Sequence, residues 1–154
     1  MNLLYYEHRD MTNDPNISPS VLLRVLVVDE RVSVNESMVT LLSESEGLTV
    51  FGCAQEPLKV LALVEAVHPD VVIFDLQMEG PTALKTLKQI KSIPHAPVMI
   101  MLSQYDLPPI RQAALAAGAD HFLIKATECG RLQEVLHNLA MESAARIRQS
   151  AESP

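Results

Sequence analysis

Five apolar runs of strand length alternate along this chain with five segments of helical periodicity. The runs are LLRVLVVDE, LTVFGCA, DVVIFD, APVMIMLS and DHFLIK, and they are apolar almost throughout rather than at every second residue. Such continuous runs are typical of parallel strands that are buried on both faces. Their alternation with helices predicts an α/β fold, a doubly wound five-stranded parallel sheet covered by helices on both sides.

The ends of the first and last helices can be predicted from local signals. Ser33 and Glu36 have the spacing of a capping box at the start of the first helix, and Gly47 is its expected stop. The last helix is expected to begin near Thr127 and to run to about Gln149.

The bulk properties predict a single domain with short flanking segments. The chain has 154 residues, which we divide into an arm at 1–20, a folded domain at 21–149 and a tail at 150–154. A net charge of -7 predicts no direct binding to nucleic acid. No apolar run approaches the length of about 18 residues that spans a membrane, and neither a signal peptide nor paired-cysteine spacing is present, so we expect a cytoplasmic protein.

Polar residues stand where four of the predicted strands end. Asp29 and Glu30 follow the first strand, Asp75 ends the third, Ser103 the fourth and Lys125 the fifth. Because the carboxyl ends of parallel strands share one edge of the sheet, we expect these residues to converge on one site.

The residue types of this site point to phosphoryl chemistry. Neighbouring carboxylates repel one another unless a cation joins them, and oxygen ligands of this kind suit Mg²⁺. Lys125 and Ser103 supply a charge and a hydroxyl for an added phosphoryl group. A carboxylate can itself attack phosphorus, and the central carboxylate, Asp75, is the predicted nucleophile.

The stretches RVLVVDE, DVVIFDLQM, PVMIMLS and GADHFLIK resemble the receiver domain of two-component response regulators, the CheY-like superfamily, over roughly residues 22–145. The resemblance implies a flavodoxin-like (βα)5 fold with strand order 2-1-3-4-5. It also implies a phosphorylation-activated switch rather than an enzyme, with self-catalysed phosphotransfer and dephosphorylation. The expected partners are a histidine kinase or phosphotransfer protein, and a homodimer or downstream protein bound through the fourth helix, fifth strand and fifth helix.

The same resemblance implies the metal ligands. Asp29 and Glu30 would form the acidic pair that holds Mg²⁺, together with the phosphoacceptor Asp75 and the backbone carbonyl of Gln77.

The switch residues also follow from the resemblance. Ser103 matches the hydroxyl residue that reaches the phosphoryl group, and Lys125 matches the lysine of the family. Phe122 matches the aromatic residue that is expected to turn inward on phosphorylation.

The chain departs from the family pattern at several loop positions. Glu79 and Ala83 stand where proline and glycine are usual, and Ala126 replaces a proline found in many members. Gln104 stands where the family usually has alanine or glycine, so its side chain is predicted to crowd access to Asp75.

Two other functions compete with the switch. The chain could be a degenerate receiver that docks partners without phosphorylation, or a phosphatase of the haloacid-dehalogenase type. The phosphatase mechanism needs a second aspartate two positions after the first, and Gln77 occupies that place. Four apolar residues of the last helix suggest a docking face for a partner. They are Leu132, Val135, Leu136 and Leu139.

Overall fold

The computed structural model describes residues 22–29, 31–53, 57–76 and 80–152. Strands and helices alternate strictly through these ranges. The strands are β1 Leu23–Val28, β2 Leu48–Cys53, β3 Val71–Asp75, β4 Val98–Ser103 and β5 His121–Ile124. The helices are α1 Val32–Ser43, α2 Pro57–Val67, α3 Gly80–Lys91, α4 Pro108–Ala116 and α5 Cys129–Glu152.

The strands form one parallel sheet in the order β2-β1-β3-β4-β5, which confirms the predicted fold. Val25 of β1 is paired with Val50 of β2 on one side and with Val71 of β3 on the other. The order reverses direction between β1 and β3, and doubly wound sheets bind ligands at such a reversal. The ends of β1 and β3 are therefore the expected place for the site.

Successive side chains of each strand enter two separate cores, because a strand turns alternate residues to opposite faces. In β3, Val72 and Phe74 belong to the core on the side of α2 and α3. Val71 and Ile73 belong to the core on the side of α1 and α5. All four side chains are buried, which explains why the strand is apolar without alternation.

The start of α1 differs from the prediction. Its N-cap residue is Arg31, which is extended and makes no side-chain cap hydrogen bond, so the capping box assigned to Ser33 and Glu36 is wrong. Instead the carboxylate of Asp29 accepts a hydrogen bond from the backbone N–H of Arg31 at 2.9 Å, which organises the turn into the helix. α1 ends at Ser43, so the predicted stop at Gly47 is wrong; Gly47, with a φ of +80°, lies in the turn that leads into β2.

The last helix extends beyond its predicted end. It runs to Glu152 rather than Gln149, so residues 150–152 belong to α5 and not to the tail. The segment between Met141 and Glu152 contains no glycine or proline, and nothing in it opposes continued helix. Within the described ranges, no helix is both long and apolar enough to cross a membrane.

Four apolar residues of α5 pack in the core, whereas Met141 and Ile147 of the same helix are exposed. Leu132 and Leu136 are fully buried against the sheet, and Val135 and Leu139 pack against the same core. The expectation of a partner surface built on these four residues is therefore wrong. Their helical spacing marks the face that the helix turns to its own sheet.

Candidate functional site

The carboxyl edge of the sheet carries a cluster of buried polar side chains. Asp29, Asp75 and Ser103 are 4%, 3% and 4% exposed, and all three stand at or just after the ends of their strands. Burying a carboxylate is costly unless it is paired with a cation or hydrogen-bonded. The contacts of the two aspartates therefore decide what this edge can do.

Lys125 brings the two aspartates together. Its Nζ donates to Oδ2 of Asp75 at 2.5 Å and to Oδ2 of Asp29 at 3.3 Å. Lys125 follows β5 and Asp75 ends β3, so the contact spans the intervening strand β4. The structure thus unites Asp29, Asp75 and Lys125, as the strand-end pattern led us to expect.

Arg31 is a second cation at this edge, and sequence reasoning missed it. Its Nη2 donates to Oδ2 of Asp75 at 3.2 Å, and its Nε donates to Oδ1 of Asp29 at 3.4 Å. The side chain is 45% exposed, so it covers the aspartates from the solvent side. The sequence feature that could have pointed to Arg31 is its position directly after the acidic pair that follows β1.

The contacts of Asp29 lower its pKa. Burial on its own would raise the pKa of Asp29. The backbone N–H and guanidinium of Arg31 and the charge of Lys125 outweigh burial, so the pKa of Asp29 lies below its usual value. Hydrogen bonding to Asp29 raises the pKa of Arg31. Asp29 is therefore a carboxylate at neutral pH.

Ser103 ends β4, the strand between those that lead to Asp75 and Lys125, but its hydroxyl is used elsewhere. Oγ of Ser103 donates to the backbone carbonyl of Tyr105 at 2.9 Å and accepts from the N–H of Tyr105 at 3.2 Å. The hydroxyl therefore holds the turn that follows β4, and it would have to leave that turn to reach Asp75. Gln104 lies between Ser103 and Tyr105 in the chain, and it is exposed.

Phe122 is already inside the protein. Its side chain is 5% exposed, and the guanidinium of Arg111 lies 4.8 Å from its ring centroid. Arg111 also pairs with Asp106 at 3.2 Å, which ties α4 to the loop after β4. Arg111 and the sheet enclose the ring in this structure, and its inward turn on phosphorylation stays a prediction.

The family-model description "Response regulator receiver domain" matches residues 25–137, most of the chain. The chain belongs to the response regulator receiver domain family. A protein-glutamate methylesterase/protein-glutamine glutaminase 5 of Myxococcus xanthus is 35% identical to this receiver domain over 130 residues. That match covers 84% of this chain and 37% of the relative, so the chain spans little more than a third of that relative's length.

Solved structures show the same fold. The signal receiver domain of the putative response regulator NarL from Mycobacterium tuberculosis aligns with a TM-score of 0.69 at 28% identity, covering 78% of this chain and 97% of that one. A LuxR-family two-component response regulator from Aurantimonas sp. SI85-9A1 aligns with a TM-score of 0.71 at 21% identity, covering 79% and 86% of the two chains. Receiver domains generally use phosphorylation and Mg²⁺.

The carboxylates of this receiver domain fit a single hard cation. Asp29 and Asp75 each place an oxygen within 3.3 Å of the same Lys125 nitrogen, so one small cation can reach both. In the described part of the chain, no third His, Cys, Asp or Glu completes a metal-binding group. Glu30 and Gln77, the other two predicted ligands, lie outside the described residues.

Proposed function

We propose that this receiver domain is a phosphorylation-activated signalling switch and that Asp75 is its phosphoacceptor. One observation carries the proposal: a buried carboxylate at the central strand end is held by two cations and faces a second carboxylate. Receiver-domain membership supports the same chemistry. Asp75 would accept the phosphoryl group from a histidine kinase or a phosphotransfer protein.

The reaction follows from the contacts of Asp75. A carboxylate oxygen of Asp75 attacks phosphorus, the bond to the donor's leaving group breaks, and an acyl phosphate remains on the chain. Lys125 is placed to pair with the phosphoryl oxygens, because its Nζ already lies 2.5 Å from Asp75 Oδ2. Mg²⁺ bound by Asp29, Asp75, Glu30 and the Gln77 carbonyl would supply the charge neutralisation that phosphoryl transfer needs.

We infer that the domain is not an enzyme acting on a separate substrate. The phosphoryl group ends on Asp75 itself, and hydrolysis of the acyl phosphate resets the switch. An aspartate-nucleophile phosphatase would need an acid or base two positions after Asp75, and that position is Gln77.

We propose that the output surface centres on α4 and the loop before it. This region exposes three large apolar side chains close together in the chain, and α5 exposes two more, Met141 and Ile147. Tyr105, Leu107 and Leu115 are 62%, 48% and 46% exposed. A second copy or a downstream protein would bind there, in the cytoplasm, and neither nucleic acid nor membrane is an expected direct partner.

The experiment that tests the function is incubation of the chain with acetyl phosphate, read by intact mass. We expect the addition of one phosphoryl group in Mg²⁺ and none in EDTA. An unchanged mass under both conditions would overturn the switch and leave a docking module that works without phosphorylation.

Removal of the Gln104 side chain should speed phosphorylation by small donors. We expect Gln104→Ala to raise the initial rate by less than about tenfold, because displacing one solvated side chain costs under about 1.4 kcal/mol of barrier. The rate is measured by intact mass over time, and Mg²⁺ affinity should not change. The control is Gln133→Ala, which changes an exposed glutamine on α5, away from the site. Equal rates in Gln104→Ala and wild type would show that Gln104 does not limit access.

Phosphorylation should alter the output surface through Ser103. We expect the Ser103 hydroxyl to leave the Tyr105 turn for the phosphoryl group, which loosens the loop and α4, since only a differential contact shifts such an equilibrium. Hydrogen exchange with and without a beryllofluoride phosphoryl mimic should change in 103–117, in β5 and at the start of α5. Asp75→Asn should show no change, and changes confined to α1 and α2 would contradict the proposed surface.

A further inference from the structure

The side chain of Arg31 lies across both described carboxylates of the site. It contacts Asp75 Oδ2 at 3.2 Å, Asp29 Oδ1 at 3.4 Å and Asp29 Oδ2 at 3.5 Å. A guanidinium is planar and always charged, and its fork of donors matches carboxylate oxygens. Arg31 is therefore the group that joins the two aspartates on their solvent side.

The oxygens that Arg31 contacts are the ones a divalent cation would need. The two described carboxylates, Asp29 and Asp75, carry two negative charges, and Arg31 and Lys125 carry two positive ones. Among these four groups the charge is already balanced. A guanidinium on these oxygens opposes the approach of a metal ion, because like charges repel at this range even in water.

We propose that Arg31 is a tethered counter-cation that Mg²⁺ must displace, and that it thereby sets the metal affinity of the site. The inference rests on the proposed function, in which the metal serves phosphoryl transfer to Asp75. Arg31, which stands immediately after the acidic pair, would thus weaken the binding of the metal.

Arg31 can leave without disturbing the fold around it. Its side chain is 45% exposed, so the guanidinium has a direct way into solvent. Its backbone N–H is held separately by Asp29 Oδ1 at 2.9 Å, and this bond keeps the turn into α1 when the side chain moves. Lys125 is only 17% exposed and lies between the strand ends, so it is the less mobile of the two cations.

The test compares the Mg²⁺ and Mn²⁺ affinities of wild type, Arg31→Gln and Arg146→Gln by direct titration. Arg146→Gln removes the same charge from an exposed position of α5 and is the matched control. We expect Arg31→Gln to bind either metal roughly three- to thirtyfold more tightly, the effect of removing one or two partly exposed ion pairs. Arg146→Gln should bind as wild type does.

Thermal unfolding provides a second reading that needs no phosphodonor. Without metal, Arg31→Gln should melt at a lower temperature than wild type, because the two carboxylates lose one of their cations. Saturating Mg²⁺ should then raise its melting temperature by more than it raises that of wild type. Arg31→Lys keeps the charge but loses the fork of donors, so its melting temperature should lie between those of wild type and Arg31→Gln. It replaces Arg31→Gln in the test if that variant does not fold.

Metal affinity that is unchanged or weaker in Arg31→Gln would overturn the inference, since a weaker affinity would mean that Arg31 supports the metal. The inference would also be overturned if neither wild type nor Arg31→Gln binds metal. These results are distinct from failure of the proposed function. The titration contains no phosphodonor, and the acetyl phosphate assay alone decides whether Asp75 is modified.

Discussion

Asp75→Asn should abolish phosphorylation of this receiver domain by acetyl phosphate. The amide oxygen of asparagine is a poor nucleophile and carries no charge, so the attack on phosphorus is lost while the shape of the side chain is kept. We expect the intact mass of Asp75→Asn to stay unchanged over a period in which wild type gains one phosphoryl group. A reduction of at least about a thousandfold corresponds to about 4 kcal/mol of lost transition-state stabilisation.

The control for this experiment is Glu142→Gln. Glu142 is an exposed carboxylate on α5, so the change removes one negative charge away from the strand ends. Circular dichroism should show that both variants are folded. A phosphoryl group that still appears on Asp75→Asn would place the nucleophile on another side chain.

Asp29→Asn should remove most of the Mg²⁺ affinity. Asp29 shares the Lys125 ammonium with Asp75, and its pKa is lowered, so it is charged at neutral pH. A single negative charge about 4 Å from a dication contributes on the order of 2 kcal/mol even in water. We therefore expect Mg²⁺ or Mn²⁺ affinity to fall by roughly thirtyfold in a direct titration.

The same change leaves the proposed nucleophile, Asp75, in place. Glu142→Gln should retain the affinity of wild type and controls for the loss of one charge. If Asp29→Asn binds metal as tightly as wild type, the divalent ion does not sit between Asp29 and Asp75.

The sheet and the convergence of its strand ends could be predicted because both follow from simple patterns. Strands such as β3 are apolar on both faces, and parallel winding places the ends of all strands at one edge. Asp29, Asp75 and Lys125 meet for that reason alone. Their contacts required no knowledge of loop conformation.

The contacts that could not be predicted depend on side-chain direction. Nothing in the residue order says that the Arg31 guanidinium turns back over Asp29 and Asp75, or that the Ser103 hydroxyl bonds to Tyr105. The apolar face of α5 has the same helical spacing whether it covers the sheet or meets a partner, and only packing distinguishes the two. The capping box failed because α1 begins at Val32, before Ser33, after a turn in which the backbone N–H of Arg31 donates to the Asp29 carboxylate.

The position of the phosphoryl group on the chain decides whether Asp75 is the phosphoacceptor. After reaction with acetyl phosphate in Mg²⁺, borohydride reduction converts a phosphorylated aspartate into homoserine, and peptide mass spectrometry then locates it. We predict homoserine at position 75 and nowhere else, in proportion to the intact-mass gain. Modification at Asp29, Glu30 or Ser103 instead, with an unmodified Asp75, would contradict the account.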